Sequence, residues 1–175
     1  MPDKGLVHIY TGEGKGKTTS AIGLAIRARS RGKRVLFAHF FKERDSLSEI
    51  SLLEQMGIST MIFDTIKSPF FYPTISRDYL RAETIKALEL IKHICSEQRP
   101  DLVVLDEFIC LVSENVLSEQ EAMSFITEKP AKIEIVLTGR GATDGIIRLA
   151  DYVTNMQNIK HPFDRGVPAR KGIEV

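Results

Sequence analysis

This sequence predicts a three-layer α/β fold with a mostly parallel sheet of about six strands, in a single domain spanning residues 1–175. Three observations lead there. Apolar, β-prone runs alternate with helix-like stretches along the whole chain, the pattern of repeated strand–helix–strand units. The strand-like runs are apolar on both faces, as in Val35-Leu36-Phe37-Ala38-His39-Phe40-Phe41. Such runs suit parallel strands covered by helices on either side. The first strand-to-helix turn is rich in glycine: Thr11-Gly12-Glu13-Gly14-Lys15-Gly16-Lys17-Thr18-Thr19 lies between Leu6-Val7-His8-Ile9-Tyr10 and Ala21-Ile22-Gly23-Leu24-Ala25-Ile26.

Strand, glycine-rich turn, Lys-Thr and helix is the layout of a phosphate-binding P-loop, so the domain reads as P-loop NTPase-like. Glycines let backbone N–H groups turn inward and approach phosphate oxygens. The helix N-terminus adds the positive end of its dipole. Lys17 is placed to reach phosphates and Thr18 to ligate Mg²⁺ through its hydroxyl. The usual first glycine of the motif is Thr11 here, with Gly12 and Gly14 inside the loop instead.

Charge is nearly balanced, with 24 Lys and Arg against 23 Asp and Glu and a formal net charge of +1. That removes the simplest argument for nucleic-acid binding, a strongly basic surface. No leader-like or 20-residue apolar stretch stands out, so no membrane partner and a cytoplasmic location are expected. Cys95 and Cys110 lack metal-ligand spacing and read as buried thiols in apolar surroundings.

The remaining elements follow in order. The helix after the P-loop is expected to run to about Arg31 and stop at Gly32. Arg27, Arg29, Arg31, Lys33 and Arg34 around its end read as a solvated face. The second strand ends at Phe41, followed by Lys42 and Arg44, candidates for anion contact because ligands bind beyond the carboxyl ends of strands. His39 reads as a packed polar residue. Ser46-Leu47-Ser48-Glu49 has capping-box form and opens a short helix to Met56, and Ile58 to Phe63 is a third strand. In Ser68-Pro69-Phe70-Phe71-Tyr72-Pro73 the prolines exclude regular structure, and the aromatics are either packed locally or form a wall for a large flat ligand.

Ser76 to Gln98 is a long amphipathic helix whose stripe of Leu80, Ile85, Leu88, Ile91, Ile94 and Cys95 is expected in the core. Asp101 to Glu107 is a buried strand ending in two carboxylates, the Walker-B pattern, where Asp106 or Glu107 can hold Mg²⁺. Ser118-Glu119-Gln120-Glu121 is a second capping box, opening a helix to about Glu128. A fifth strand, Ile133 to Leu137, runs into Thr138-Gly139-Arg140-Gly141, where Arg140 can hold a phosphate. A short helix from Asp144 to Ala150 and a sixth strand near Tyr152 to Met156 follow. The tail, from Lys160 on, has no period and is either disordered or folded over a site.

Four segments together resemble one family. They are Tyr10 through Thr19, Val103-Val104-Leu105-Asp106-Glu107, Thr138-Gly139-Arg140-Gly141, and Lys160-His161-Pro162-Phe163-Asp164 through Lys171-Gly172-Ile173. Their order and spacing are similar to those of the ATP:corrinoid adenosyltransferases of the CobA/BtuR/CobO type, in which Thr at the first Walker-A position is usual. The resemblance implies that Co(I) of a reduced corrinoid attacks the 5′ carbon of ATP, a Co–C bond forms, and triphosphate leaves. Co(I) is already a strong nucleophile, so positioning and charge neutralisation suffice without an activating base.

Carried over, the resemblance implies that the P-loop from Gly12 through Glu13, Gly14, Lys15, Gly16, Lys17 and Thr18 to Thr19 binds triphosphate. Thr18 with Asp106 or Glu107 is implied at Mg²⁺, and Arg140 at the phosphates or the corrinoid; Lys17, Glu107 and Arg140 are the implied catalytic residues. Phe70 and Tyr72 resemble an aromatic pair that keeps cobalt's lower axial face free of its nucleotide base. Family members often have Trp at the Tyr72 position and Gly where Glu43 stands. Some carry a longer N-terminal extension, so closure here is expected from the tail or a partner subunit. The resemblance also implies a homodimer and a reductase supplying electrons. The competing readings are a P-loop ATPase or kinase, with Glu107 positioning water or accepting a hydroxyl proton, and a nucleotide-binding module without turnover.

Overall fold

The computed structural model describes residues 4–43 and 49–174. The expected capping box at Ser46 and the candidate Arg44 lie outside the described residues. Twelve elements follow in order, strands and helices alternating as expected except where two helices follow β4: β1 Val7–Thr11, α1 Lys17–Arg29, β2 Val35–His39, α2 Ile50–Gln55, β3 Ser59–Ile62, α3 Arg77–Glu97, β4 Leu102–Asp106, α4 Phe108–Ser113, α5 Glu119–Thr127, β5 Glu134–Thr138, α6 Asp144–Leu149 and β6 Tyr152–Asn155. The strand order is β3-β2-β4-β5-β1-β6, and each neighbouring pair is parallel. β5 therefore stands between the P-loop strand β1 and the acidic strand β4.

The doubly apolar strands do what their pattern requires. Register aligns Leu36, Val103, Ile135 and Val7 across β2, β4, β5 and β1, and two residues on, Ala38, Leu105, Leu137 and Ile9. These two rows face α3, α4, α5 and α6 in one hydrophobic core. The alternate residues Val35, Phe37, Leu102, Val104 and Val136 face α1 and α2 in a second. Helices thus cover both faces, and burying each of the Val, Leu, Ile and Phe side chains contributes about 1.5–3 kcal/mol.

Local signals set the helix ends. Gly32 has φ +76°, with Gly32 N–H donating to Arg29 and Lys33 N–H to Ala28, a Schellman stop for α1. Ser76 and Ser118 cap α3 and α5, the latter in a full capping box with Glu121.

Two expectations are corrected. The buried stripe of α3 is Leu80, Thr84, Ala87, Leu88, Ile91 and Cys95, and Ile85 is exposed. At 100° per residue Ile85 falls about 60° outside the arc that runs from Ala87 to Leu88. Helix α4 is absent from the sequence reading because Phe108-Ile109-Cys110-Leu111-Val112 is buried nearly all round and has no side-chain cap.

Candidate functional site

All the segments singled out for phosphate chemistry leave the carboxyl edge of the sheet. Gly12 and Gly16 take φ +97° and +116°, values that only glycine adopts without strain. Gly14 is demanded by packing instead: a Cβ there would lie 2.5 Å from the Gln157 carbonyl oxygen. The chain leaving β6 supports the loop from behind, with Gly14 N–H donating to Met156 O at 2.7 Å and Met156 N–H to Thr11 O at 2.8 Å.

Lys17 opens α1 and is buried, its ammonium folded into the loop to donate to Gly12 O at 2.7 Å and Gly14 O at 2.8 Å. Burial, then the charge of Arg140, lower its pKa, against the opposing charge of Glu107. A polyanion entering the loop would favour the charged form.

Asp106, the last residue of β4, is fully buried. Its Oδ1 accepts from Thr18 Oγ1 at 2.8 Å and from Thr138 Oγ1 at 2.6 Å, and its Oδ2 meets His39 Nδ1 at 3.3 Å. Burial acts to raise its pKa, but the hydrogen bond and charge interaction with His39, then the Thr138 hydrogen bond, hold it below the ordinary value. The strand ends here. Glu107 turns into the left-handed region at φ 62°, which costs a non-glycine residue about 1–2 kcal/mol. The turn separates the two carboxylates: Asp106 stays beneath Thr18, while Glu107 reaches the cavity above. Thr138 Oγ1 accepts from Glu107 N–H at 2.9 Å, so one hydroxyl from β5 fixes both acidic residues.

Residues 13–19, Glu107 and Arg140 line one cavity of about 300 Å³. Arg140 Nη1 donates to Glu13 Oε2 across it. The tail covers the opposite wall with a 3₁₀ turn at Pro162–Arg165, and Lys15 Nζ donates to Ile173 O at 2.8 Å and Glu174 Oε1 at 3.2 Å. Of the two readings of the tail, the fold over a site is the one observed.

Cys110 is corrected: it is half-buried beside this cavity, not enclosed in apolar surroundings. Its Sγ donates to Glu107 Oε2 at 2.9 Å and accepts from Arg140 N–H at 3.3 Å. Burial and Glu107 push its pKa well above the ordinary thiol range. Among the described residues no group of three or more His, Cys, Asp or Glu gathers as a metal site.

Phe70 and Tyr72 are not in the cavity lining. They lie in the loop after β3, a strand four places from β1 and about 19 Å from it across the sheet. Phe70 and Phe71 are 76% and 73% exposed, so local packing does not account for them. Glu43 anchors their loop: its Oε1 accepts from Tyr72 Oη at 2.7 Å and from Lys67 Nζ at 2.7 Å. Lys42, the other anion candidate, is half-buried near Asp106.

Comparison with known proteins decides the family. The model described as ATP:corrinoid adenosyltransferase BtuR/CobO/CobP matches residues 3–175. The chain belongs to this family. Corrinoid adenosyltransferase of Escherichia coli K12 is 34% identical over 172 residues, 98% of this chain and 86% of that protein. Corrinoid adenosyltransferase CobA of Salmonella typhimurium is 34% identical with the same coverage. A solved structure, flagellar accessory protein FlaH of Methanocaldococcus jannaschii, matches at a TM-score of 0.54 and 15% identity, covering 87% of this chain and 71% of that one, and shares the fold. This ATP:corrinoid adenosyltransferase is therefore a transferase acting on ATP and a corrinoid, which removes the ATPase and binding-module readings.

His39, Thr138 and Cys110 carry the site's hydrogen bonding and were not read as site residues. The signals were positional. His39 and Thr138 occupy the last places of their strands, the same edge as Thr11 and Asp106.

Proposed function

We propose that the loop from Gly12 to Thr19 cradles the triphosphate of ATP while Co(I) of the corrinoid attacks C5′. The C5′–O bond breaks, its electron pair leaves with triphosphate, and the new Co–C bond holds the adenosyl group. Lys17 and Arg140 neutralise the departing charge, the term that grows most along this reaction. No side chain need act as base, because cobalt supplies the electron pair. The observation that carries this reading is the convergence of Lys17, Thr18, Glu107 and Arg140 on one cavity, with Asp106 behind Thr18.

Magnesium fits these residues. Thr18 and Asp106 offer only oxygen donors, 2.8 Å apart, the donor type a hard cation selects. Thr18 would hold the ion directly, with Asp106 behind it and Glu107 reaching its water shell. Bound there, magnesium would draw charge from the leaving triphosphate.

Phe70 and Tyr72 are the proposed corrinoid-facing pair, their exposure at the same sheet edge supporting a role toward a flat ligand. A reductase supplying Co(I), a homodimer and a cytoplasmic location complete the reading; among the described residues no helix is long and apolar enough to cross a membrane.

The test is anaerobic. Protein, chemically reduced cob(I)alamin, ATP and Mg²⁺ are expected to give a light-sensitive alkylcobalamin spectrum and one triphosphate per alkyl group. Lys17→Ala is expected to abolish both. ADP and phosphate as the products would overturn the reading.

A further inference from the structure

We infer that His39 is a positioning residue for the metal-bearing side of the site: it fixes the Asp106 carboxylate so that Oδ1 faces Thr18. The inference rests on the proposed role of Thr18 and Asp106 at magnesium.

The geometry distinguishes the two carboxylate oxygens. Oδ1 takes both hydroxyl donors, Thr18 at 2.8 Å and Thr138 at 2.6 Å. Oδ2 is met by His39 Nδ1 at 3.3 Å. A carboxylate held at one oxygen can still rotate about its last side-chain bond; a donor at the second oxygen removes that freedom. Strand register supplies the donor, since His39 and Asp106 are the paired last residues of β2 and β4. Phe37, two residues back on the same face, stacks on the imidazole with centroids 4.7 Å apart and so fixes the ring.

The other end of the imidazole argues against a packing role. His39 is fully buried, yet among the described residues its Nε2 has no hydrogen-bond partner. An orphaned buried nitrogen costs about 1–3 kcal/mol, a cost an apolar residue of similar size would not incur. What the imidazole contributes that a leucine could not is the single hydrogen bond at Nδ1. Partners of metal ligands typically account for 10–100-fold in metal affinity, and His39, acting through Asp106 behind Thr18, is expected at the lower end of that range.

Two substitutions separate positioning from packing. His39→Leu keeps bulk and removes the donor; His39→Asn keeps an N–H donor one bond beyond Cγ, where Nδ1 stands. The readout is ATP affinity by titration calorimetry, with Mg²⁺ and with EDTA, alongside the Mg²⁺ dependence of turnover. His39→Leu is expected to lose about tenfold of the Mg²⁺-dependent gain in ATP affinity, leaving affinity in EDTA and the KM for corrinoid unchanged. His39→Asn is expected to restore the gain to within about threefold. If His39→Leu does not fold, His39→Gln, which carries the donor one atom further out, is expected to show a partial loss of the same gain. Equal affinity losses with and without Mg²⁺, or failure of His39→Asn to restore the gain, would overturn the inference. Wild-type protein binding ATP equally well in Mg²⁺ and EDTA would instead overturn the magnesium reading beneath it.

Discussion

Glu13 and Arg140 face each other across the phosphate cavity, with the guanidinium Nη1 donating to Glu13 Oε2. The pair joins the P-loop to the turn after β5. Both side chains are more than half exposed, so the pair is worth at most about 1 kcal/mol. On the proposed reading its effect falls on ligand exchange, because a triphosphate bound at Arg140 would have to displace Glu13. Glu13→Gln is expected to tighten triphosphate binding by about two- to fivefold, measured as product inhibition. Arg140→Ala is expected to lower kcat/KM for ATP by about 10–100-fold, because it removes a charge-assisted contact. Unchanged kcat/KM in Arg140→Ala would remove this arginine from the site.

Thr138 tests how the two acidic residues are held. Its hydroxyl donates to Asp106 and accepts from Glu107 N–H. Thr138→Val keeps the shape and leaves a buried carboxylate oxygen and a backbone N–H each short of one partner. The expected cost is about 1–3 kcal/mol, read from denaturant midpoints, together with a rise in the KM for ATP. Thr138→Ser retains the hydroxyl and is expected to keep both near wild type. Equal losses in Val and Ser would point to the methyl group and packing.

The fold was legible because β2, β4 and β5 are apolar in both registers and several helices have a local start or stop signal, as at Gly32, Ser76 and Ser118. The P-loop and the Asp106-Glu107 pair were legible for the same reason: backbone chemistry demands those types at that spacing. What escaped depended on strand order. Nothing local says that β5 inserts between β1 and β4, so Thr138 gave no sign of contacting Asp106. His39 likewise became a partner of Asp106 through pairing of β2 with β4, 67 residues apart. Helix α4 failed for a different reason: buried on nearly every side, it has no amphipathic period to read.

Glu121 carries the clearest pH dependence. Arg81, then Ser118, hold its pKa down at about 2. A carboxylate depressed in the folded state adds stability above its unfolded value, near 4.3. That contribution is lost as pH falls from about 4.5 toward 2. Glu121→Gln is expected to cost about 1 kcal/mol at pH 7, the scale of a helix cap, since the group is partly exposed. The difference from wild type is expected to narrow through that window in thermal melts. A difference that stays constant from pH 7 to 3 would show that the cap and not the charge carries the effect.

The tail makes the last prediction. Lys15, inside the P-loop, ties it down through Ile173 O and Glu174, and Arg170 holds the Glu174 carboxyl in turn. The Arg170 hydrogen bonds keep the Glu174 pKa at about 2, so the tie remains charged across the physiological range. These contacts are exposed and individually weak, so the tail is expected to open at little cost. Arg165, Arg170 and Lys171 are trypsin sites along it. Glu174→Ala is expected to speed cleavage there severalfold, and saturating ATP to slow cleavage of the wild type. If ATP protects the Glu174→Ala protein as fully as the wild type, the nucleotide itself seats the tail and the Lys15 contacts are dispensable. If ATP protects neither, the tail does not close over the occupied cavity.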